Sequence, residues 1–346
     1  DAGWINGIYY AGYLLAVPVL VSLTDRVAPR RIYYLCMGLN VVAYMGFALA
    51  ADGFWTALLF RGLAGIGLAG TYMPGLKLIS DHLDGTGQSR AVAFYTSSFG
   101  LGTALSFFMV GEIDTLFGWH WAAGIAALGP VVAIAMVALL LPGGDPKPKD
   151  KPETHLLDFR PVLTCRPAMG YVLAYTFHNF ELFCFRSWVV AYLVFVEGLG
   201  TGGELIFNAT MLAAFFNLLG LPSSVLGNEL AARIGRHRTI TIVMLSSAGI
   251  ACLFGFATTW PLWMVIVLCT VYGITVIGDS ASITAGVIAA APEGYRGATM
   301  AVHSCIGFTG SFAGPLLFGV VLDLAGGQSV FSWGLAFAAA GAAAAL

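Results

Sequence analysis

The chain is written as long apolar runs separated by short polar connections. Runs near 4–23, 32–50, 54–80, 90–111, 119–141, 167–196, 204–230, 239–258, 260–287, 297–322 and 328–346 are each about long enough to cross a hydrocarbon core of roughly 30 Å. They are continuous rather than alternating, so they predict helices and not barrel strands, because in lipid every backbone N–H and C=O must be satisfied within the element. Eleven spans are therefore expected. The longest polar break, from Leu141 to Arg166, contains PGGDPKPKDKPE, is too polar to cross anything, and reads as a linker between two halves.

One run departs from the apolar rule. Between Tyr175 and Tyr192 it carries His178, Asn179, Glu181 and Arg186. A single Asp, Lys or Arg at mid-membrane costs roughly 2.5–3.5 kcal/mol, so such residues face partners or a water-filled cavity. At about 100° per residue all four fall on one face of a helix and leave the opposite face apolar. His178 and Glu181, three apart, can touch; Glu181 and Arg186 lie roughly 140° apart, so Arg186 takes its counter-ion from another helix or from a bound solute. Two readings stand side by side: the wall of a transport site, and a polar knot that only fixes helix packing.

Composition narrows the classes. With 58% hydrophobic and 10% charged residues, the chain is not an ordinary soluble protein, in which about a quarter of residues are charged; it reads as a polytopic membrane protein. Sixteen Lys and Arg against 18 Asp and Glu leave no basic surplus for nucleic acid. The six cysteines lie singly, without CxxC spacing, and read as packing residues. His178 and Glu181 have a metal-ligand spacing, but no second pair accompanies them, so no metal is expected. Gly65-Ile66-Gly67-Leu68-Ala69-Gly70 is formally a G-x-G-x-x-G run. No strand precedes it, and its small residues fit close helix packing better than a dinucleotide. Neither a cofactor nor an enzyme activity is expected.

Charge placement tests the span count. Every second connection is basic: Arg26, Arg30 and Arg31, then Arg90, then five residues from Lys147 to Arg166, then Arg233, Arg236 and Arg238, then Arg296. The intervening connections carry none, so thirteen of the sixteen basic residues mark one side, which the positive-inside rule makes cytoplasmic. The other three, Arg61, Lys77 and Arg186, lie within spans. Displacing the chain by 207 residues lays Arg26 on Arg233, Ala91 on Ala298, Ser97 on Ser304 and Gly100 on Gly307. The halves thus repeat in the same orientation, as in parallel-repeat transporters. The repeat places a counterpart of 167–196 before residue 1, so a twelve-span protein lacking its first helix, with the last one clipped, is expected.

These residues resemble the major facilitator superfamily over essentially the whole chain. Thr24-Asp25-Arg26-Val27-Ala28-Pro29-Arg30-Arg31 is similar to the family's G-x-x-x-D-R-x-G-R-R loop, with one extra residue and Pro29 near the expected Gly. Its weaker repeat runs from Gly227 to Arg236, with Ala232 in place of the acid. The resemblance implies a conformational latch, with Asp25, Arg26, Arg30, Arg233 and Arg236 as gating residues; the plainer alternative is positive-inside charge alone. Arg61-Gly62-Leu63-Ala64-Gly65-Ile66-Gly67 is similar to the R-x-x-x-G-x-G motif, which implies proton coupling for Arg61; the alternative is an arginine that snorkels to the interface. The family's antiporter signature is absent from Ser97–Met109 and has a version at Gly310, Gly314, Pro315 and Gly319, which weakens an exporter assignment.

The resemblance implies an all-α membrane protein of that fold: two pseudo-symmetric six-helix bundles, residues 1–141 and 167–346, joined by a cytoplasmic linker at 142–166. It also implies that 54–80, 167–196 and 260–287 line the cavity. Arg186, His178, Asn179, Trp188 and Tyr72 are the expected substrate ligands, with Phe185 as a further wall. Glu181, Asp279, Arg61 and His303 are the expected proton-coupling residues, low dielectric opposing the charged form of a carboxyl group and bringing proton uptake within reach. Lys77 reads as a residue that snorkels from the cytoplasmic end. Arg61, Lys77 and Arg186 outnumber Glu181 and Asp279, which points to a small anionic organic solute moved by alternating access in symport with protons. The expected setting is the bacterial inner membrane, with the protein working as a monomer in the bilayer. Sodium coupling, an inorganic oxyanion such as nitrate, proton-driven drug export, and a transport-inactive sensor or accessory scaffold are the alternatives.

Overall fold

The computed structural model describes residues 2–83, 85–141, 157–200 and 209–345, and among these it contains helices and no strand. The helices are α1 (Ala2–Ser22), α2 (Pro29–Ala50), α3 (Phe54–Ala69), α4 (Tyr72–Ser80), α5 (Gly85–Phe117), α6 (Trp119–Ala126), α7 (Leu128–Leu140), α8 (Arg160–Leu163), α9 (Arg166–Gly198), α10 (Ala209–Ile234), α11 (Arg236–Phe256), α12 (Leu262–Thr275), α13 (Ser280–Ala289), α14 (Arg296–Leu324) and α15 (Val330–Ala344). Ten stretches are long and apolar enough to cross a membrane, and α15, at 15 residues, is the eleventh and shorter apolar helix. Each expected run is thus matched by helix among the described residues. Most of the linker, residues 142–156, lies outside the described residues.

The connections form where local chemistry ends a helix. Pro29 opens α2 at a position whose N–H needs no partner. Gly53 and Thr56 exchange hydrogen bonds at the start of α3, the Gly53 N–H donating to Thr56 Oγ1 at 3.1 Å. Ser329 Oγ accepts from the Ser332 N–H at 3.1 Å and caps α15.

Three runs that read as single spans are each two helices. The run 54–80 breaks at Gly70-Thr71, the run 119–141 at Ala127, and the run 260–287 over residues 276–279. The first and third breaks are repeat-equivalent, since the 207-residue displacement carries Thr71 onto Gly278. In the third, Gly278 N–H bonds Thr275 O at 3.1 Å and Ser280 N–H bonds Ile277 O at 3.1 Å, both i to i+3 contacts that tighten the chain before α13 begins.

The chain forms two compact units whose limits differ from the sequence halves, because α5 and α14 each contribute to both. The first comprises residues 1–88, 106–169 and 288–305. In it α1 lies on α3, so close at Gly65 that an added Cβ would strike the Tyr9 carbonyl. The small residues of that run thus serve helix contact. The second unit comprises residues 89–105, 170–287 and 306–346. Its core is aromatic: Tyr192, Phe254, Tyr272, Phe318, Trp333 and Phe337 interlock, mostly edge to face, and Tyr192 OH donates to the Phe254 carbonyl at 2.6 Å. Large apolar side chains face outward, Leu139 at 82% and Leu324 at 84% exposure, a surface that suits lipid and not water.

Candidate functional site

Polar side chains buried in α9 reach out to its neighbours in the second unit. His178 Nδ1 lies 2.8 Å from Asp279 Oδ1, with both side chains 2% exposed. Asp279 sits in the break between α12 and α13, where the backbone leaves helical register and a side chain is carried by turn rather than helix. Glu181 does not meet His178; its Oε1 accepts from Ser247 Oγ of α11 at 2.9 Å and from Tyr272 OH of α12 at 3.1 Å. Asn179 Nδ2 donates to the Gly307 carbonyl of α14 at 3.2 Å. The guanidinium of Arg186, half-buried, stands 5.6 Å from the Phe183 ring and 5.7 Å from the Phe99 ring of α5. One helix face thus serves four partner helices. The second polar atoms of the buried pair, His178 Nε2 and Asp279 Oδ2, have no hydrogen-bond partner among the described residues.

In the first unit Arg61 lies over the Tyr9 ring at 4.7 Å, which anchors α3 to α1 by a cation–π contact. Lys77 is buried at 8% exposure and does not snorkel. Its Nζ donates to Asp81 Oδ2 at 2.9 Å and to the Thr24 carbonyl at 3.3 Å, and stands 4.0 Å from Asp25 Oδ1. The correction has a simple cause: Asp81, four residues on, follows the span directly, and Asp25 is brought to Lys77 from the connection after α1. Lys77 therefore leaves the charge count that favoured an anion, and Arg61 and Arg186 then balance Glu181 and Asp279.

Asp25 completes this network. Its Oδ1 accepts from the Gly297 N–H at 2.7 Å and its Oδ2 from the Ala298 N–H at 3.0 Å, at the first turn of α14. A carboxylate at a helix N-terminus meets both orphan donors and the positive end of the dipole. A Cβ on Gly297 would run into Asp25 Oδ1 and Thr24 Oγ1, so only glycine admits this approach. Arg296 Nη1 donates to Asp81 Oδ1 at 2.9 Å, linking α14 to the same cluster. Arg26 and Arg30 stand half-buried in this connection.

The repeat of that loop makes a second clasp with different chemistry. The Ala232 side chain cannot accept a hydrogen bond, and the grip is taken up at Asn228 and Glu229 on α10. Arg90 of α5 forks onto Glu229 at 2.7 and 3.1 Å. Ser89 Oγ donates to Asn228 Oδ1 at 3.2 Å, and Asn228 Nδ2 returns a bond to the Ser89 carbonyl at 3.3 Å. Arg236 Nη2 reaches Ser89 Oγ at 3.4 Å, and the exposed Arg233 adds its field at Glu229. Sequence reasoning missed Ser89, Arg90, Asn228 and Glu229; Arg90 looked like positive-inside charge, and its acid lies 139 residues away.

The remaining expected ligands are placed otherwise. Trp188 Nε1 donates to the Pro315 carbonyl at 3.0 Å and the half-buried ring stacks on Phe318 at 5.4 Å, which packs it against the aromatic core. Phe185, 3% exposed, packs edge to face on Tyr272 in that core. His303 is fully buried in α14. Tyr72 opens α4, half-buried, just beyond the break. Among the described residues no group of three or more His, Cys, Asp or Glu converges as a metal site.

Ten helical stretches of this length and apolarity define a multi-pass membrane protein. The family model of the Major Facilitator Superfamily matches residues 1–315, and the chain belongs to that superfamily. Membership places it among transporters rather than enzymes. Protein spinster homolog 1 of Homo sapiens is 27% identical over 145 residues, 41% of this chain and 27% of that protein. The sphingosine-1-phosphate transporter SPNS2 of Mus musculus is 23% identical over 355 residues, 93% of this chain and 63% of the relative. The chain thus spans less than two thirds of the length of either relative. Among solved structures, the fucose:proton symporter of E. coli superposes with a TM-score of 0.75 at 14% identity, covering 99% of this chain and 88% of that one. The human organic anion transporter MFSD10 gives 0.74 at 18%, covering 99% and 83%. At these identities the two structures establish the fold.

Proposed function

We propose that the chain is a secondary active transporter that moves an amphiphilic organic anion by alternating access and draws on a proton gradient. The observation that carries the reading is the buried His178–Asp279 pair, set in a helix break one helical turn from a second buried acid, Glu181. An acid and an imidazole in contact inside a span can exchange a proton with a passing solute or with water, and pairs of this kind mark proton relays in membrane carriers. Discontinuous helices at repeat-equivalent positions are where carriers bind their cargo.

The anion half of the proposal rests on Arg186. A guanidinium presents a planar fork suited to a carboxylate or phosphate and stays charged when buried. Arg186 between two phenyl rings offers apolar surface beside that fork, which suits a solute with an apolar body better than bare nitrate. The relative that transports sphingosine-1-phosphate supports the same class, since that molecule is an amphiphile that carries a phosphate.

The two sequence halves, 1–141 and 167–346, act in this proposal as the moving bodies, with the basic connections facing the cytoplasm of a bacterial inner membrane. Asp25 on α14 and Arg90 on Glu229 are the contacts that the cycle makes and breaks. Thermal-shift screening of the purified protein in detergent, against phosphorylated and carboxylated amphiphiles, inorganic oxyanions and cationic drugs, tests the cargo. The proposal expects stabilisation by acidic amphiphiles that Arg186→Gln removes. Stabilisation by cationic compounds only, unaffected by Arg186→Gln, overturns it in favour of a drug exporter.

A further inference from the structure

The break that carries Asp279 is stitched to α10 at four places, all within the second unit. Ser223 Oγ donates to the Ile274 carbonyl at 2.5 Å, in the last turn of α12. Ser224 Oγ accepts from the Ala281 N–H at 3.2 Å, in the first turn of α13. Ser282 Oγ returns a bond to the Gly227 carbonyl at 3.3 Å. At Gly227 the two backbones touch so closely that a Cβ would collide with the Gly278 carbonyl. A broken helix in lipid must have its freed backbone groups met by neighbours, and here α10 supplies them.

The next residues of the same helix form the clasp. Asn228 and Glu229 follow Gly227 directly and hold Ser89 and Arg90 of α5. From Ser224 to Glu229 is about 7.5 Å along a helix, less than two turns, and a helical segment that short moves as one piece. The titratable group in contact with Asp279 is His178, Glu181 follows one turn along α9, and α10 meets the break through the Ser223 and Ser224 hydroxyls.

We infer that residues 223–229 of α10 are a positioning element that couples the His178–Asp279 pair to the Arg90–Glu229 clasp, so that protonation at the pair and opening of the clasp bias each other. The inference rests on the proposed proton site. Each end has two arrangements, pair made or broken and clasp closed or open, and a shared rigid connector makes the two equilibria interdependent. Such linkage is reciprocal: loosening the clasp shifts proton binding at the pair by the same factor that protonation shifts the clasp.

Reciprocity supplies the test. The purified full chain in lipid nanodiscs is titrated by infrared difference spectroscopy, following the carboxylic acid C=O band that Asp279→Asn deletes. Arg90→Gln and Glu229→Gln both loosen the clasp yet change charge in opposite senses. The inference expects both to move the midpoint in the same direction, by about one pH unit for the roughly tenfold coupling usual between such sites. Ser223→Ala and Ser224→Ala, each combined with Arg90→Gln, abolish that shift, while Ser224→Thr, which keeps the hydroxyl, restores it. Equal midpoints in wild type and both clasp variants overturn the coupling, as do shifts of opposite sign, which report charge alone. Shifts that persist in both serine variants overturn the role of α10. A band that does not titrate, or that survives Asp279→Asn, removes the proton site itself, a different failure from the others.

Discussion

Glu181 and Asp279 are both 2% exposed, yet they are held by different kinds of partner. Asp279 meets an imidazole that can share its proton, whereas Glu181 meets two hydroxyls, which can serve a carboxylate or a carboxylic acid. In proteoliposomes under an imposed pH gradient, Asp279→Asn is therefore expected to abolish solute accumulation while leaving exchange at equal pH, and Glu181→Gln to reduce accumulation less. The reverse order would move the coupling role to Glu181. Trp188 gives a contrasting prediction at the same scale. Truncation to alanine removes a half-buried stack and a hydrogen bond, a loss of about 2–4 kcal/mol, below that of a fully buried Trp. It lowers the melting temperature while the ligand-induced shift stays as in wild type. A normal melting temperature with ligand response lost would return Trp188 to the solute wall.

At the level of elements, the loop after α1 holds the first turn of α14 through one carboxylate and two N–H groups. Replacing Asp25 by Asn removes the charge from a helix N-terminus, where an anion contributes about 0.3–2 kcal/mol. A carrier must visit both of its states, so depopulating the latched one slows turnover several-fold without altering solute affinity measured at equilibrium. Affinity lost with turnover unchanged would reassign Asp25 to recognition. The Asp25-Arg26 loop stood out by its resemblance, while its partner on α14 did not; the spans were legible in the sequence as apolar runs. The breaks at 70–71 and 276–279 were not, because Gly-Thr and Gly-Asp inside an apolar run look the same whether the helix continues or is spliced by a neighbour. What decides is non-local: Ser223 lies 51 residues from Ile274, and Ser224 lies 57 from Ala281. Lys77 was misread in part for the same reason: Asp81 stands four residues on, but Asp25 and the Thr24 carbonyl come from another segment. For His178 the sequence offered Glu181 one turn away, and the structure gives it Asp279 from the break between α12 and α13.

For the whole molecule, the proposal makes the halves move against each other while the basic connections stay in the cytoplasm. A cysteine placed at Pro148, in the linker, is expected to escape a membrane-impermeant maleimide in intact cells and to react after permeabilisation; labelling of intact cells would invert the orientation. Proton coupling is the central claim, and solute-driven proton movement tests it most directly. Proteoliposomes loaded with a pH-sensitive dye, with no sodium present and no pH gradient imposed, receive the best stabilising amphiphile from the thermal-shift screen. The account predicts a change of internal pH in step with solute entry in the wild-type protein and none with Asp279→Asn. Solute entry that requires sodium and leaves internal pH unchanged would contradict it.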